Sequence, residues 1–196
     1  TKGRLPEGNI IAEPCARNTA PCILYSAMKL YKKYGDVSMC VLSADHAIGD
    51  EKAFRQVLKN GARYAEENDE IVTIGIVPTY PSTGYGYIKK GEEVSFETTI
   101  YNVEEFVEKP DEETAKNYIS TGEYFWNSGM FIFKASTILE SFKKNLPDMY
   151  SKMAAIEDAL NTDREEAEVE RMYPKLDSIS VDYGIMEKEE KISVIP

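Results

Sequence analysis

The sequence predicts an α/β protein, a layered sheet with helices packed on both of its faces. Three observations carry that expectation. Apolar runs of strand length alternate with segments of helical spacing. The strongest of these runs are apolar at consecutive positions, as in strands covered on both faces. The middle of the chain then changes character, with a stretch rich in Gly, Pro, Ser and Tyr leading into more polar strand patterns. With 196 residues, 42% hydrophobic and 29% charged, the chain can bury one sizeable core and does not have a disordered composition.

In chain order, "NIIAEP" is predicted as a short first strand. A helix over 20–34 follows, with Ile23, Ala27, Leu30, Tyr31 and Tyr34 on one face. Thr19 serves as its N-cap, Pro21 is tolerated in the first turn, and Gly35 ends it. "VSMCVLSAD" reads as a strand buried on both faces. Asp50 then caps a helix whose inner face carries Phe54, Val57, Leu58, Ala62 and Ala65, and "EIVTIGIV" is the next buried strand. "PTYPSTGYGYIKKGEEV" is a long loop entering short, more exposed antiparallel strands. "NVEEFVEKP" is a strand stopped by Pro110, and Asp111 caps the helix "EETAKNYIS". "GMFIFKA" is another buried strand, followed by helical spacing over 138–146 and 149–160. The acidic stretch "NTDREEAEVERMYPKLDS" reads as a solvated helix with its loop, and "KISVIP" as the last strand.

Net charge is −11, from 23 Lys and Arg against 34 Asp and Glu, so the long-range field repels nucleic-acid backbones and anionic membrane surfaces. A small phosphorylated ligand would need local cations, a helix N-terminus or a divalent ion to overcome that field. Cys15, Cys22 and Cys40 are odd in number and lack metal-site spacing, which predicts free, mostly buried thiols in a cytoplasmic protein. No apolar run approaches the roughly 20 residues of a membrane span. The chain starts at Thr1, and "TKGRLPEG" reads as a loop entering a strand, so a piece of a longer chain is expected.

In layered α/β sheets, ligands bind beyond the carboxyl ends of the strands, which directs attention to their polar tips. Asp45, after "MCVL", suits a hard cation such as Mg²⁺ or an Asx turn. His46 is the sole histidine, which excludes a two-histidine metal site. Glu108 and Lys109 of "EKP" place opposite charges side by side, for a sugar hydroxyl and a phosphate or as two surface charges in a turn. In "FWNSGMFIF", Asn127, Ser128 and Gly129 interrupt an apolar run, and a buried Asn must find hydrogen-bond partners. "STGYGYI" holds two glycines that permit close approach of a ligand or form an ordinary turn. "EPCARNTAP" packs an acid, a cation, an amide and a hydroxyl at the mouth of the first helix.

Taken in order, "EPCARNTAP", "SADH", "TGYGYI", "EKP", "WNSGMFIF" and "SVDYGIMEK" resemble the sugar-1-phosphate nucleotidyltransferases, most of all the guanylyltransferases that act on mannose 1-phosphate. The resemblance implies a three-layer, Rossmann-like, mixed but mostly parallel sheet with a small antiparallel sugar-binding insertion. It implies one nucleotidyltransferase domain over 1–196, incomplete at both ends, with 1–77 binding nucleotide and 78–196 binding sugar phosphate. The implied reaction joins GTP and mannose 1-phosphate into GDP-mannose and pyrophosphate by in-line attack, with Mg²⁺, and a homodimer is compatible with it. On this reading Glu13, Arg17, Asn18 and Thr19 meet the nucleotide, Glu13 by accepting the two adjacent donors of guanine. Asp45 holds the metal, Gly86, Glu108, Asn127 and Asp182 meet the sugar, and Lys109 neutralises its phosphate. Two alternatives stay open: another sugar or base, or a catalytically dead sugar-nucleotide-binding subunit. Ser43 departs from the proline usual in the family. The family's Gly-rich phosphate loop and second metal aspartate belong outside 1–196. The isolated piece is therefore expected to be inactive, and its "VSMCVL" strand to lack a neighbour.

Overall fold

The computed structural model describes residues 6–196. The first predicted strand is not formed. "NIIAEP" follows a 3-10 turn at Glu7–Asn9, runs irregularly and leaves Ile10 57% exposed. An apolar triplet becomes a strand only where a neighbour pairs its backbone, and no described strand reaches this one.

Helix α1 (Thr19–Tyr34) is capped by Asn18 rather than Thr19. The Asn18 side chain accepts from the Thr19 N–H at 2.8 Å, and its backbone sits at φ +67°, which asparagine tolerates better than most residues. Gly35, at φ +79°, ends the helix as expected. Strand β1 (Ser38–Val41) and α2 (Glu51–Asn68) follow, the latter capped by Asp50 through the N–H groups of Lys52 and Ala53. After β2 (Ile71–Ile76), β3 (Tyr87–Val94) and β4 (Ile100–Val107) form the expected antiparallel pair. Asp111 caps α3 (Glu112–Thr121) through the Thr114 N–H. The remaining elements are β5 (Tyr124–Lys134), α4 (Ala135–Asn145), α5 (Pro147–Ala154), α6 (Glu165–Met172), α7 (Val181–Gly184) and β6 (Ile192–Ile195).

The six strands form one sheet in the order β1-β5-β2-β6-β4-β3. The α/β class holds, but the mostly parallel pairing does not: among the described residues β2–β6 is the one parallel pair. Apolar runs show burial and carry no strand direction, which is why the pairing was not readable. β1 lies at the edge, pairs among the described residues with β5 alone and exposes Cys40, so the expectation of burial on both faces fails there. Cys22 is exposed as well, although its thiol lies partly covered beside Glu13, and Cys15 is half-buried, so the thiols are not mostly buried.

Helices cover both faces of the sheet, as the alternation predicts. Ile71, Phe131 and Phe133 pack with α1, α4 and the C-terminal helices, while Val72 and Ile132, one position over, pack with Tyr64 and Ala65 of α2. Each fully buried side chain of this size contributes roughly 1.5–3 kcal/mol. A further pairing of β5 with β3 closes β5, β2, β6, β4 and β3 on themselves around Ile88, Phe125 and Val194. That interior is full: a Cβ added at Gly75 would lie 2.7 Å from Val194 and 2.9 Å from Phe125.

The acidic stretch is less solvated than its composition suggests. Glu165 and Val169 of α6 and the following Tyr173 are buried against α1. Among the described residues, no helix is long and apolar enough to cross a membrane.

Candidate functional site

A cleft of about 410 Å³ opens between the turn after β1 and the middle of β5, lined among others by Asp45, His46, Tyr85, Trp126 and Asn127. Asp45 is exposed at its mouth. Trp126 forms one wall, with the Tyr80 and Tyr85 rings of the preceding loop packed on it at centroid distances of 4.9 and 5.0 Å. Sequence reasoning missed this wall. A lone Trp beside a loop with repeated tyrosines was the available signal.

"WNSG" is not a strand tip, as the sequence reading had it, but lies within β5. Gly129, at φ +69°, makes the interruption, and the β2 register shifts opposite it between Thr73 and Gly75. Beside this irregularity Asn127 is held on three sides. Its N–H donates to the Gly86 carbonyl at 2.8 Å, its Oδ1 accepts from the Gly129 N–H at 2.9 Å, and its Nδ2 donates to Asp182 Oδ1 at 2.8 Å. Nδ2 keeps one hydrogen and Oδ1 one lone pair for a ligand.

Gly86 sits in a crowded place, where any side chain would displace the end of Glu108. A Cβ there would strike Glu108 Oε2 and lie 3.3 Å from Asn127 Cβ. Glu108 has a side chain only 8% exposed, and its Oε2 is buried without a hydrogen-bond partner among the described residues. Its Oε1 pairs with Lys109 Nζ, and this contact with Glu108 is the main reason the lysine pKa is raised. Lys109 therefore stays cationic through neutral and moderately alkaline pH. Its backbone is left-handed at φ +49°. The Glu108 N–H donates to Glu187 Oε1 at 3.2 Å, a contact 79 residues away in sequence that no local pattern announced.

The residues before and at the start of α1 are engaged differently. Glu13 accepts from the Tyr173 hydroxyl at 2.6 Å. Burial and then the Glu13 carboxylate push Tyr173 well above the ordinary tyrosine range, and the same two causes push the Cys22 thiol up to about 11. Arg17 donates to the Pro174 carbonyl, and its Nε is buried without a partner among the described residues. Asn18 is occupied as a cap, and Thr19 Oγ1 accepts from the Val181 N–H at 2.8 Å.

The structure thus gathers Gly86, Glu108, Lys109, Asn127 and Asp182, and Asn127 shares the cleft of Asp45. It does not bring Glu13 there. Glu13 lines a second cleft of about 470 Å³ with Tyr25, Lys29 and Glu165. The link between the two groups is Thr19, bonded to Val181 beside Asp182. As for a metal, the described residues contain no cluster of three or more potential ligands. Asp45 offers one exposed carboxylate, the number a Mg²⁺ ion commonly takes from protein where phosphate oxygens and water complete its shell.

The model of the nucleotidyl transferase family matches residues 3–171. The chain belongs to that family. Among curated relatives of this nucleotidyl transferase chain, mannose-1-phosphate guanylyltransferase of Escherichia coli K12 is 45% identical over 196 residues, covering 96% of this chain and 40% of the relative. Alginate biosynthesis protein AlgA of Pseudomonas putida is 40% identical, covering 98% of this chain and 40% of that protein. The chain thus spans about 40% of the length of these relatives. A crystal structure described as mannose-1-phosphate geranyltransferase from Thermus thermophilus superposes with a TM-score of 0.83 at 36% identity, over 94% of this chain and 51% of that one.

Proposed function

We propose that this chain forms the core of a cytoplasmic enzyme that transfers a guanylyl group from GTP to mannose 1-phosphate, releasing pyrophosphate and GDP-mannose. The observation that carries the reading is the buried, unpartnered Oε2 of Glu108 beside the cationic Lys109, an acceptor for a hydroxyl next to a cation for a phosphate. The names of the E. coli relative and the T. thermophilus structure, both given for mannose 1-phosphate, supply the sugar.

On this reading Glu108 Oε2 takes a mannose hydroxyl, the free hydrogen of Asn127 Nδ2 takes another oxygen, and Gly86 leaves the room a side chain would fill. Lys109 neutralises the sugar phosphate so that its oxygen can approach the α-phosphorus of GTP in line. A bond forms from that oxygen to phosphorus as the bond to pyrophosphate breaks, so positioning and charge neutralisation suffice and no acid–base residue is needed. Asp45 would hold a Mg²⁺ ion, which would supply charge neutralisation to the nucleotide phosphates. Glu13 accepts the two donors of the guanine edge. Arg17, committed to the Pro174 carbonyl, is better placed to brace α1 than to meet phosphate, and Thr19 and Asn18 shape the helix mouth that faces the nucleotide.

The test uses the full-length protein that contains this chain, with Mg²⁺ and a matrix of GTP, ATP and UTP against mannose 1-phosphate and glucose 1-phosphate. GDP-mannose and stoichiometric pyrophosphate are expected from the GTP and mannose 1-phosphate pair. Faster turnover of any other pair would replace the assignment.

A further inference from the structure

We propose that Glu187 is a positioning residue for the sugar phosphate, acting through the backbone of Glu108; the inference rests on the sugar-phosphate reading above. Strand β4 ends at Val107, and the next two residues carry the charged side chains of the proposed subsite. Lys109 adopts the left-handed backbone region at φ +49°, uncommon for a side chain of its kind, and Pro110 after it offers no N–H to brace the turn. Where Glu108 and Lys109 point therefore depends on what fixes their main chain. The tertiary bond made there is from the Glu108 N–H to Glu187 Oε1.

Glu187 has a firm base. It belongs to the 3-10 turn Met186–Lys188, anchored by Ile185 and Met186, which are 0% and 1% exposed. The same short segment carries Asp182, which holds Asn127. One rigid stretch of chain thus orients both side chains assigned to sugar hydroxyls. The anchor matters most when substrate arrives. Lys109 Nζ is paired with Glu108 Oε1, and a phosphate that draws the lysine away removes that brace from the Glu108 carboxylate. The bond to Glu187 is left to keep Glu108 in place.

The experiment measures steady-state kinetics of the full-length protein and five variants. Glu187→Ala should raise KM for mannose 1-phosphate about tenfold, with kcat and the KM for GTP within about twofold of wild type. Glu187→Asp, which keeps the charge and withdraws the acceptor, should resemble it, while Glu187→Gln, which keeps the acceptor, should stay within about threefold of wild type. In a Glu108→Gln background, Glu187→Ala should add less than about threefold, because the two residues act as one unit. An unchanged sugar-phosphate KM in Glu187→Ala, an equal rise for GTP, or a full effect in the Glu108→Gln background would overturn the inference while leaving the functional reading intact. Wild-type protein that turns over no sugar 1-phosphate would overturn both.

Discussion

Two regions of this chain carry the side chains assigned to ligands, and they are built on different terms. Around Asn127, elements far apart in sequence converge and leave a buried acceptor, Glu108 Oε2, without a partner among the described residues. Around Glu13, most polar groups of "EPCARNTAP" are taken up by the protein itself: Nη2 of Arg17 by Pro174, Asn18 by the helix cap, Thr19 by Val181, and one oxygen of Glu13 by Tyr173, while Arg17 Nε alone of these is buried without a partner among the described residues. The first region resembles a preformed socket, since an unsatisfied buried acceptor is expensive unless something completes it. The second is a brace that keeps few groups for a ligand.

On this contrast, crowding the socket should do the most damage. Gly86→Ala drives a methyl group into Glu108 Oε2 and against Asn127, and should lower kcat/KM for mannose 1-phosphate by at least about a hundredfold. The backbone at Gly86 is not left-handed, so the variant should still fold and bind GTP. A loss under about threefold would mean that the socket yields and is not preformed.

The brace should show itself in stability instead. Glu165 accepts from the Tyr25 hydroxyl, from Lys29 and from the Asn161 N–H, tying α6 to α1. Burial pushes its carboxyl up, but the hydrogen bonds from Lys29, Tyr25 and the Asn161 N–H outweigh it, so its pKa lies below the ordinary value. The unfolded chain thus holds this proton more tightly. The stabilisation is complete above the ordinary glutamate value of about 4.3 and is lost as pH falls through the lower folded value. Glu165→Gln should cost about 2 kcal/mol at neutral pH, with the gap from wild type closing below about pH 4 in denaturant titrations. A gap that stays constant with pH would deny the carboxylate this role.

These two regions also separate what the sequence discloses from what it hides. Gly86, Glu108 and Asn127 stood out as candidates because each stands in a short pattern, a glycine-rich loop, a charged pair at a strand end and an amide inside an apolar run, but those patterns also fit ordinary turns, and it was the family resemblance that assigned them to a ligand. The caps at Asp50 and Asp111 and both helix layers were legible directly, since they depend on spacing within one element. Glu187 and Tyr173 were not, because their contacts span 79 and 160 residues and leave no trace in local spacing. Strand direction was hidden as well: "VSMCVL" and "GMFIFKA" look alike in composition, yet they pair antiparallel, one at the sheet edge and the other inside it. The bulge in β5 was half visible, since a glycine in an apolar run marks a bulge, but the run was read as ending there.

Within the brace, Glu13 is the group with chemistry to spare. Glu13→Gln replaces one acceptor oxygen by a donor, so it should reduce the preference for GTP over ATP about tenfold with little change in the mannose 1-phosphate KM. Retained preference would move base recognition elsewhere and make the 13–19 segment purely structural.

The smallest effect asks whether Tyr173 helps or competes. A carboxylate that meets guanine N1–H and N2–H uses both oxygens, one for each donor, and in this structure Oε1 already accepts the Tyr173 hydroxyl at 2.6 Å. An oxygen with two lone pairs can serve a phenol and a base together, and the phenol then fixes the plane of the carboxylate. Tyr173→Phe should accordingly raise the KM for GTP about threefold, since one hydrogen bond to a charged group is lost without any change of shape. A fall in that KM would show the opposite, that the tyrosine holds Glu13 away from the base and that the brace must loosen before nucleotide binds.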